Sequence, residues 1–217
     1  MNRPTVIINC AMSVDGKIAS PTGKQVRISS QEDMKRVYEL RNNVDAVLVG
    51  INTVLQDDPK LTVKEKYVTS PDQPIRIVLD AQCRTPENAL IVNEKAKTII
   101  VKDEKTDCTR TYNENVSILS VTATKGRVDL KKMLSILKKQ GIHTLLVEGG
   151  GTIIWNFIIH GLVDDLYVYI GSMIIGGKQT PTMAMGEGVE HENKFIRLHL
   201  IESKQVGDGI LLHYQPK

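Results

Sequence analysis

With 217 residues, 41% of them apolar, the chain is long enough to bury one good-sized core, and a single domain over residues 1–217 is expected. Its 28 basic and 25 acidic residues leave a net charge of +3 without any basic block, and aromatic residues make up only 4%; this speaks against nucleic-acid partners and favours small anionic ligands. Cys10, Cys83 and Cys108 are odd in number and widely spaced, so neither a disulfide framework nor a CxxC metal clip is expected, and a reducing cytoplasm is the natural compartment.

The N-terminal apolar run at 5–12 lacks a cleavage site and is too short to cross a bilayer, so no membrane partner is expected. Residues 6–8 open a first strand that breaks at Ser13-Val14-Asp15-Gly16, either an ordinary Asp-Gly turn or a loop that closes over a ligand. Ser29 with Glu32 makes a capping box for a helix whose Met34, Val37, Tyr38 and Arg41 share one face. Arg41 therefore stands in register with the buried stripe. Its charge needs either a structural partner such as Asp45 or an anionic ligand.

The apolar run 46–49 ends at Gly50 and passes into a short helical turn, Ile51-Asn52-Thr53-Val54-Leu55-Gln56-Asp57-Asp58-Pro59. Ligands of open α/β sheets gather at such carboxyl ends. Pro59 is expected to hold Asp58 extended, so that the adjacent carboxylates point apart, one capping and the other binding, unless the pair is simply an exposed acidic turn. Further β-branched runs at 75–79, 98–101, 116–119, 144–147 and 166–170 read as central strands covered on both faces, with surface loops at 64–74 and 102–114. Asp129 is the expected N-cap of a helix carrying Leu130, Met133, Leu134 and Leu137, stopped by Gly141.

The strongest local signal is Val147-Glu148-Gly149-Gly150-Gly151-Thr152, a strand running into three glycines and a helix start. Glycine lets the backbone approach a ligand at positive φ, and the helix N-terminus favours an anion, so the segment reads as a phosphate cradle; the alternative is a plain strand-to-helix turn. It is not GxGxxG, which disfavours a Rossmann site. The tail, 195–206 and 210–214 around Gly207-Asp208, reads as a β-hairpin. His143, His160, His191, His199 and His213 are scattered, beside no nucleophile and without an HxxxH pair, so no hydrolase triad and no metal site is expected.

Met12-Ser13-Val14-Asp15-Gly16-Lys17, the Gly50 to Pro59 block with Leu61-Thr62-Val63, Ile77-Val78-Leu79-Asp80, Glu148-Gly149-Gly150-Gly151 and Gly176-Gly177-Lys178 stand in the order of one family. In these blocks the chain resembles the riboflavin-pathway reductases, from about residue 5 to 214, and most closely their stand-alone archaeal branch. The resemblance implies a dihydrofolate-reductase-like α/β fold: an open, mainly parallel sheet with helices on both faces and a C-terminal antiparallel hairpin, usually as a homodimer. It implies NADPH, or also NADH, as cofactor and reduction of a ribosylamino to a ribitylamino group on a phosphorylated pyrimidine. Bacterial versions carry a zinc deaminase domain in front, for which this chain leaves no room and no PCxxC. The expected substrate is therefore the 2,5-diaminopyrimidinone 5′-phosphate, with the deaminated uracil analogue, a pterin or folate, and a non-catalytic nucleotide-binding regulator as alternatives.

Carried over position by position, the resemblance assigns Thr53, Asp57, Gly149, Gly150, Gly151 and Thr152 to the dinucleotide. It sets Asp80 and Ala81 beside the adenosine half, and Arg84 near the 2′-phosphate. Arg41, Lys60, Lys64 and Glu148 fall around the phosphoribosyl group, with Gln25 and Arg27 closing the site. Lys64 stands where some relatives carry arginine, which keeps the charge without the bidentate fork. Glu148 and Asp57 are the candidate catalytic groups, the first on a ribose hydroxyl and the second relaying a proton.

Overall fold

Every run read as a strand from the sequence forms one in the computed structural model, which describes residues 2–217. In chain order the elements are β1 (Thr5–Ser13), α1 (Gln31–Asn42), β2 (Ala46–Gly50), α2 (Ile51–Asp57), β3 (Ile75–Leu79), β4 (Thr98–Asp103), β5 (Val116–Val121), β6 (Ala123–Thr124), β7 (Arg127–Val128), α3 (Leu130–Lys139), β8 (Thr144–Gly149), α4 (Gly151–Ile159), β9 (Asp165–Gly171), β10 (Leu198–Val206) and β11 (Gly209–Pro216). They make an α/β fold with a mostly parallel sheet, four helices and a C-terminal antiparallel hairpin. No helix among the described residues is long and apolar enough to cross a membrane. The chain divides into two units, one of Met1–Thr5 with Tyr38–Leu146, the other of Val6–Val37 with Val147–Lys217.

In the first unit β2, β3, β4 and β5 pair in parallel, in chain order. Val47, Leu48, Ile77, Val78, Ile100 and Val101 are buried, which is what near-continuous apolar strands demand when both faces are covered. Each such side chain contributes roughly 1.5–3 kcal/mol of burial free energy. Asp129 caps α3 as expected, its Oδ1 accepting from the Lys132 N–H at 3.0 Å, and Met133, Leu134 and Leu137 form the buried stripe. Gly141 at φ +88 ends the segment. Asp45 lies just before β2, and its Oδ2 accepts from the N–H groups of His143 and Thr144, both at 2.8 Å, and from the Thr144 hydroxyl. Partial burial works against the ionised form, but these donors outweigh it and hold the carboxyl below its usual range. The structural partner suggested for Arg41 is thus committed to the start of β8. Arg41 Nη1 donates to the Thr62 carbonyl at 3.5 Å and its guanidinium stands 5.3 Å from the Tyr38 ring centroid.

In the second unit the order is β10-β11-β9-β1, with β9 parallel to β1 and the hairpin strand β11 antiparallel to β9. The hairpin starts later than its sequence pattern, at Leu198, with a 3-10 turn at Glu192–Lys194 before it.

Three local expectations are corrected. The helix cap is Ser30 and not Ser29: its Oγ accepts from the Asp33 N–H at 3.1 Å, one residue past the Ser-x-x-Glu register. Asp58 is left-handed (φ +41, ψ +58) despite the following proline, held by its N–H on the Val54 carbonyl and its Oδ1 on the Leu90 N–H at 2.7 Å. A short polar side chain that bonds locally tolerates that region. Cys83 and Cys108 form a disulfide, 25 residues apart, because each follows one of two adjacent parallel strands, β3 and β4, and the loops after neighbouring strands meet. The two-residue strands β6 and β7, joined by Lys125 and Gly126 both at positive φ, are too short for any periodicity to reveal.

Candidate active site

In the first unit the register Gly50↔Leu79 sets the end of β2 level with the end of β3. The start of α2, with Asn52 and half-buried Thr53, therefore neighbours the turn that carries Asp80, Ala81 and Arg84. Arg84 joins the two: its Nη2 reaches Asn52 Oδ1 at 3.4 Å and its Nε lies 3.9 Å from Asp80 Oδ1. Asp80 is fully buried. Its Oδ2 is taken by the N–H and hydroxyl of Thr85 at 2.7 and 2.8 Å, whereas its buried Oδ1 has no hydrogen-bond partner and faces only the Arg84 guanidinium, at ion-pair distance. The turn is tied down by the Cys83–Cys108 bridge, by Tyr112 Oη donating to the Thr85 carbonyl at 2.7 Å, and by Arg110 Nε donating to the Cys83 carbonyl at 3.1 Å. Asp57, half-buried, closes α2.

Beyond α2 the chain carries Lys60 and Lys64, both exposed, on either side of buried Leu61, Thr62 and Val63. Gln73 pins this stretch by exchanging hydrogen bonds of 2.8 and 3.0 Å with the Val63 N–H and carbonyl. Arg76, buried in β3, donates from its two Nη atoms to Asn93 and to the carbonyls of Ala96, Leu90 and Lys60, so one guanidinium organises the chain around Lys60. Lys64 Nζ stands 5.3 Å from the Tyr38 ring, as the Arg41 guanidinium does.

In the second unit β8 ends at Gly149, whose φ of +126 only glycine adopts easily and whose Cβ position faces open space. The Gly149–Gly150 peptide is cis. Gly150 caps α4 and no side chain closes the helix's first turn. Gly151 is needed for another reason: a Cβ there would lie 2.3 Å from the Thr182 carbonyl oxygen. The chain at 182–185 is laid against the loop, with the Met185 N–H on the Gly151 carbonyl at 3.1 Å. Glu148 is half-buried and Thr152 exposed. Gln25 and Arg27, both exposed, precede Ile28, whose carbonyl packs so closely on Gly171 that a Cβ there would sit 2.6 Å away.

Asp15 proves to be a clamp, a role the Asp-Gly signal alone does not reveal. It accepts from the Ser13 hydroxyl at 2.6 Å and from the N–H groups of Ile175 and Gly176 at 3.1 and 2.7 Å. The Ser13 hydroxyl, then the Ile175 N–H, lower its carboxyl to about 2. Its function is to fix the strand-end loop to the Gly176-Gly177 turn, where both glycines have positive φ.

The residues singled out from the sequence thus fall into two groups. Thr53, Asp57, Asp80, Ala81, Arg84, Arg41, Lys60 and Lys64 belong to the first unit; Gln25, Arg27, Glu148, Gly149, Gly150, Gly151 and Thr152 belong to the second. The fit to a dinucleotide can be tested on each. A helix opened by glycines without a side-chain cap suits a phosphate, and the part-exposed Arg84 guanidinium beside Asp80 suits a second anionic group.

Among solved structures, the fold is similar to RibD of Acinetobacter baumannii, at a TM-score of 0.84 and 26% identity, covering all of this chain and 59% of that one. It is also similar to the riboflavin biosynthesis reductase Rib7 of Saccharomyces cerevisiae, at a TM-score of 0.76 and 21% identity, covering all of this chain and 91% of that one. This chain thus spans a little over half of the RibD chain. The fold class is that of the α/β, dihydrofolate-reductase-like proteins.

A family profile described as the RibD C-terminal domain matches residues 4–212. The 2,5-diamino-6-ribosylamino-4(3H)-pyrimidinone 5′-phosphate reductase of Methanothermobacter thermautotrophicus is 41% identical over 99% of both chains. The chain belongs to the RibD C-terminal domain family, the reductases of riboflavin biosynthesis.

Proposed function

We propose that this chain reduces 2,5-diamino-6-ribosylamino-4(3H)-pyrimidinone 5′-phosphate to its ribitylamino product with NADPH. The observation that carries the reading is the glycine-opened start of α4, where Gly149 and Gly151 are held by conformation and by close approach. The M. thermautotrophicus relative bears the name of a reductase of that substrate. Bound there, reduced nicotinamide would supply the hydride that ends on sugar C1′ of the ring-opened substrate.

In the second unit the N–H groups of the Gly149-Gly150-Gly151-Thr152 turn would hold a dinucleotide phosphate; in the first unit Thr53 and Asp57 are read as cofactor-binding residues. The Asp80-Ala81 turn would hold the adenosine half, and the Arg84 guanidinium, beside Asn52, would meet the 2′-phosphate that distinguishes NADPH from NADH. Arg41, Lys60 and Lys64 grip the substrate phosphate. Glu148 holds a ribose hydroxyl, Asp57 moves the proton that ring opening requires, and Gln25 and Arg27 cover the substrate. Alignment of two bound reactants accounts for most of the rate, with charge complementarity to both phosphorylated ligands.

A homodimer and a cytoplasmic location belong to the same proposal. The edge strand β10 supports the first: it pairs on one side with β11 and exposes Leu200 and Ile201, each more than half accessible. Assay of the purified protein with NADPH and NADH against the diaminopyrimidinone phosphate and its deaminated analogue tests the function. Fastest oxidation is expected with NADPH and the diaminopyrimidinone; binding of NADPH without oxidation by either pyrimidine would overturn it.

A further inference from the structure

We propose that Tyr38 and Tyr67 are positioning residues that hold Arg41 and Lys64 together as a preformed seat for the phosphate of the sugar substrate. The inference rests on the reading of Arg41 and Lys64 as phosphate ligands and adds what places them. Tyr38 is buried in α1 and its ring lies on that of Tyr67, centroids 4.7 Å apart and planes 9° from parallel. Arg41 is three residues on along the same helix, so its side chain and Tyr38 share a face, and its guanidinium carbon is 5.3 Å from the Tyr38 centroid. Lys64 comes from a different segment. Its carbonyl accepts from the N–H groups of Tyr67 and Val68 at 2.9 and 3.2 Å, a tight turn that makes the position of Tyr67 the position of Lys64. The stack of the two rings therefore fastens the Lys64 turn to the helix that bears Arg41. The Lys64 Nζ then stands 5.3 Å from the Tyr38 centroid, as the guanidinium does.

Two cations gathered at one ring repel each other. The ring's negative face offsets part of that repulsion, and a phosphate dianion offsets the rest. Lys66, 5.3 Å from the Tyr67 centroid, adds a third positive charge to the cluster. The chemistry this selects is a phosphate monoester on a small polyol, and the aromatic pair sets its affinity without touching the reacting atoms.

The test compares Tyr38→Leu and Tyr67→Leu with Tyr38→Phe and Tyr67→Phe, reading KM and kcat for the phosphorylated substrate and inhibition by ribose 5-phosphate. Loss of one aromatic face should raise KM about three- to tenfold and weaken ribose 5-phosphate by the same factor, with kcat within about twofold, as the strength of cation–π contacts implies. The phenylalanine variants keep the face and should match the wild type. Tyr67 is only half-buried, so Tyr67→Leu supplies the measurement should Tyr38→Leu fail to fold. Arg41→Gln and Lys64→Gln separate the inference from its foundation. If they weaken ribose 5-phosphate while the leucine variants leave KM unchanged, the positioning role is overturned and the phosphate site stands. If the glutamine variants also leave ribose 5-phosphate unchanged, the phosphate binds elsewhere and both ideas fall.

Discussion

At the scale of single residues, Arg84 is the most exposed to test. Its side chain is 44% accessible, anchored only loosely by Asn52 and Asp80, and so is available to a ligand phosphate. A charge-assisted contact of this kind contributes roughly 1.5–3 kcal/mol, about ten- to a hundredfold in affinity. Arg84→Ala should therefore lower the NADPH-over-NADH preference in kcat/KM by at least about tenfold; an unchanged ratio removes Arg84 from the site. Gly151 allows a second test. An alanine Cβ would press into the Thr182 carbonyl, backbone that yields only by moving the 182–185 segment. Overpacking of this kind costs on the order of 1–3 kcal/mol, so Gly151→Ala should melt several degrees below the wild type and bind dinucleotide more weakly. A variant with wild-type melting and affinity would show that the close approach is not needed.

Among elements, loops are held by few but specific bonds. The carboxylate of Asp15, lowered from 3.8 to about 2, favours the folded state when ionised. A depressed folded-state pKa means that this contribution is complete above the ordinary carboxylate value and is lost as pH falls toward about 2. The difference in unfolding free energy between wild type and Asp15→Asn, measured by chemical denaturation, should shrink as pH is lowered through that window. A difference constant down to its lower end would remove Asp15 as the clamp on Ile175 and Gly176. The Cys83–Cys108 bridge acts on the turn bearing Asp80 and Arg84. Closing a loop of this size stabilises by roughly 3–4 kcal/mol on the chain-entropy account, so Cys108→Ser should lower the melting temperature by several degrees. Thiol alkylation of the native protein should then label neither Cys83 nor Cys108; modification of both before reduction would contradict the bridge. Cys10 should stay unlabelled in either case, since burial pushes its thiol up to about 12.

For the whole molecule, the proposed homodimer is assigned to the edge of the second unit. A nine-residue strand with both faces largely exposed and Leu200 and Ile201 uncovered is a pairing surface that a lone soluble chain would be expected to blunt. Sedimentation should give twice the chain mass, and Ile201→Glu should shift it to the monomer; a monomeric wild type would remove the homodimer from the proposal.

What the sequence determined by itself were features set by short-range physics. Apolar β-branched runs fix the parallel strands, Asp129 and Gly141 bound α3, and the three glycines mark the turn into α4, because period, caps and positive φ are local properties. The family resemblance rests on the same blocks, which is why the reductase class was legible before any coordinates. Tertiary structure decided what depends on residues far apart in the chain. The neighbouring of β3 and β4 brought Cys83 to Cys108, the Leu90 N–H turned Asp58 left-handed against its proline, and the Tyr38–Tyr67 stack drew Arg41 and Lys64 to one ring. No spacing announces these pairings, since each is the product of strand order and packing and not of any local pattern.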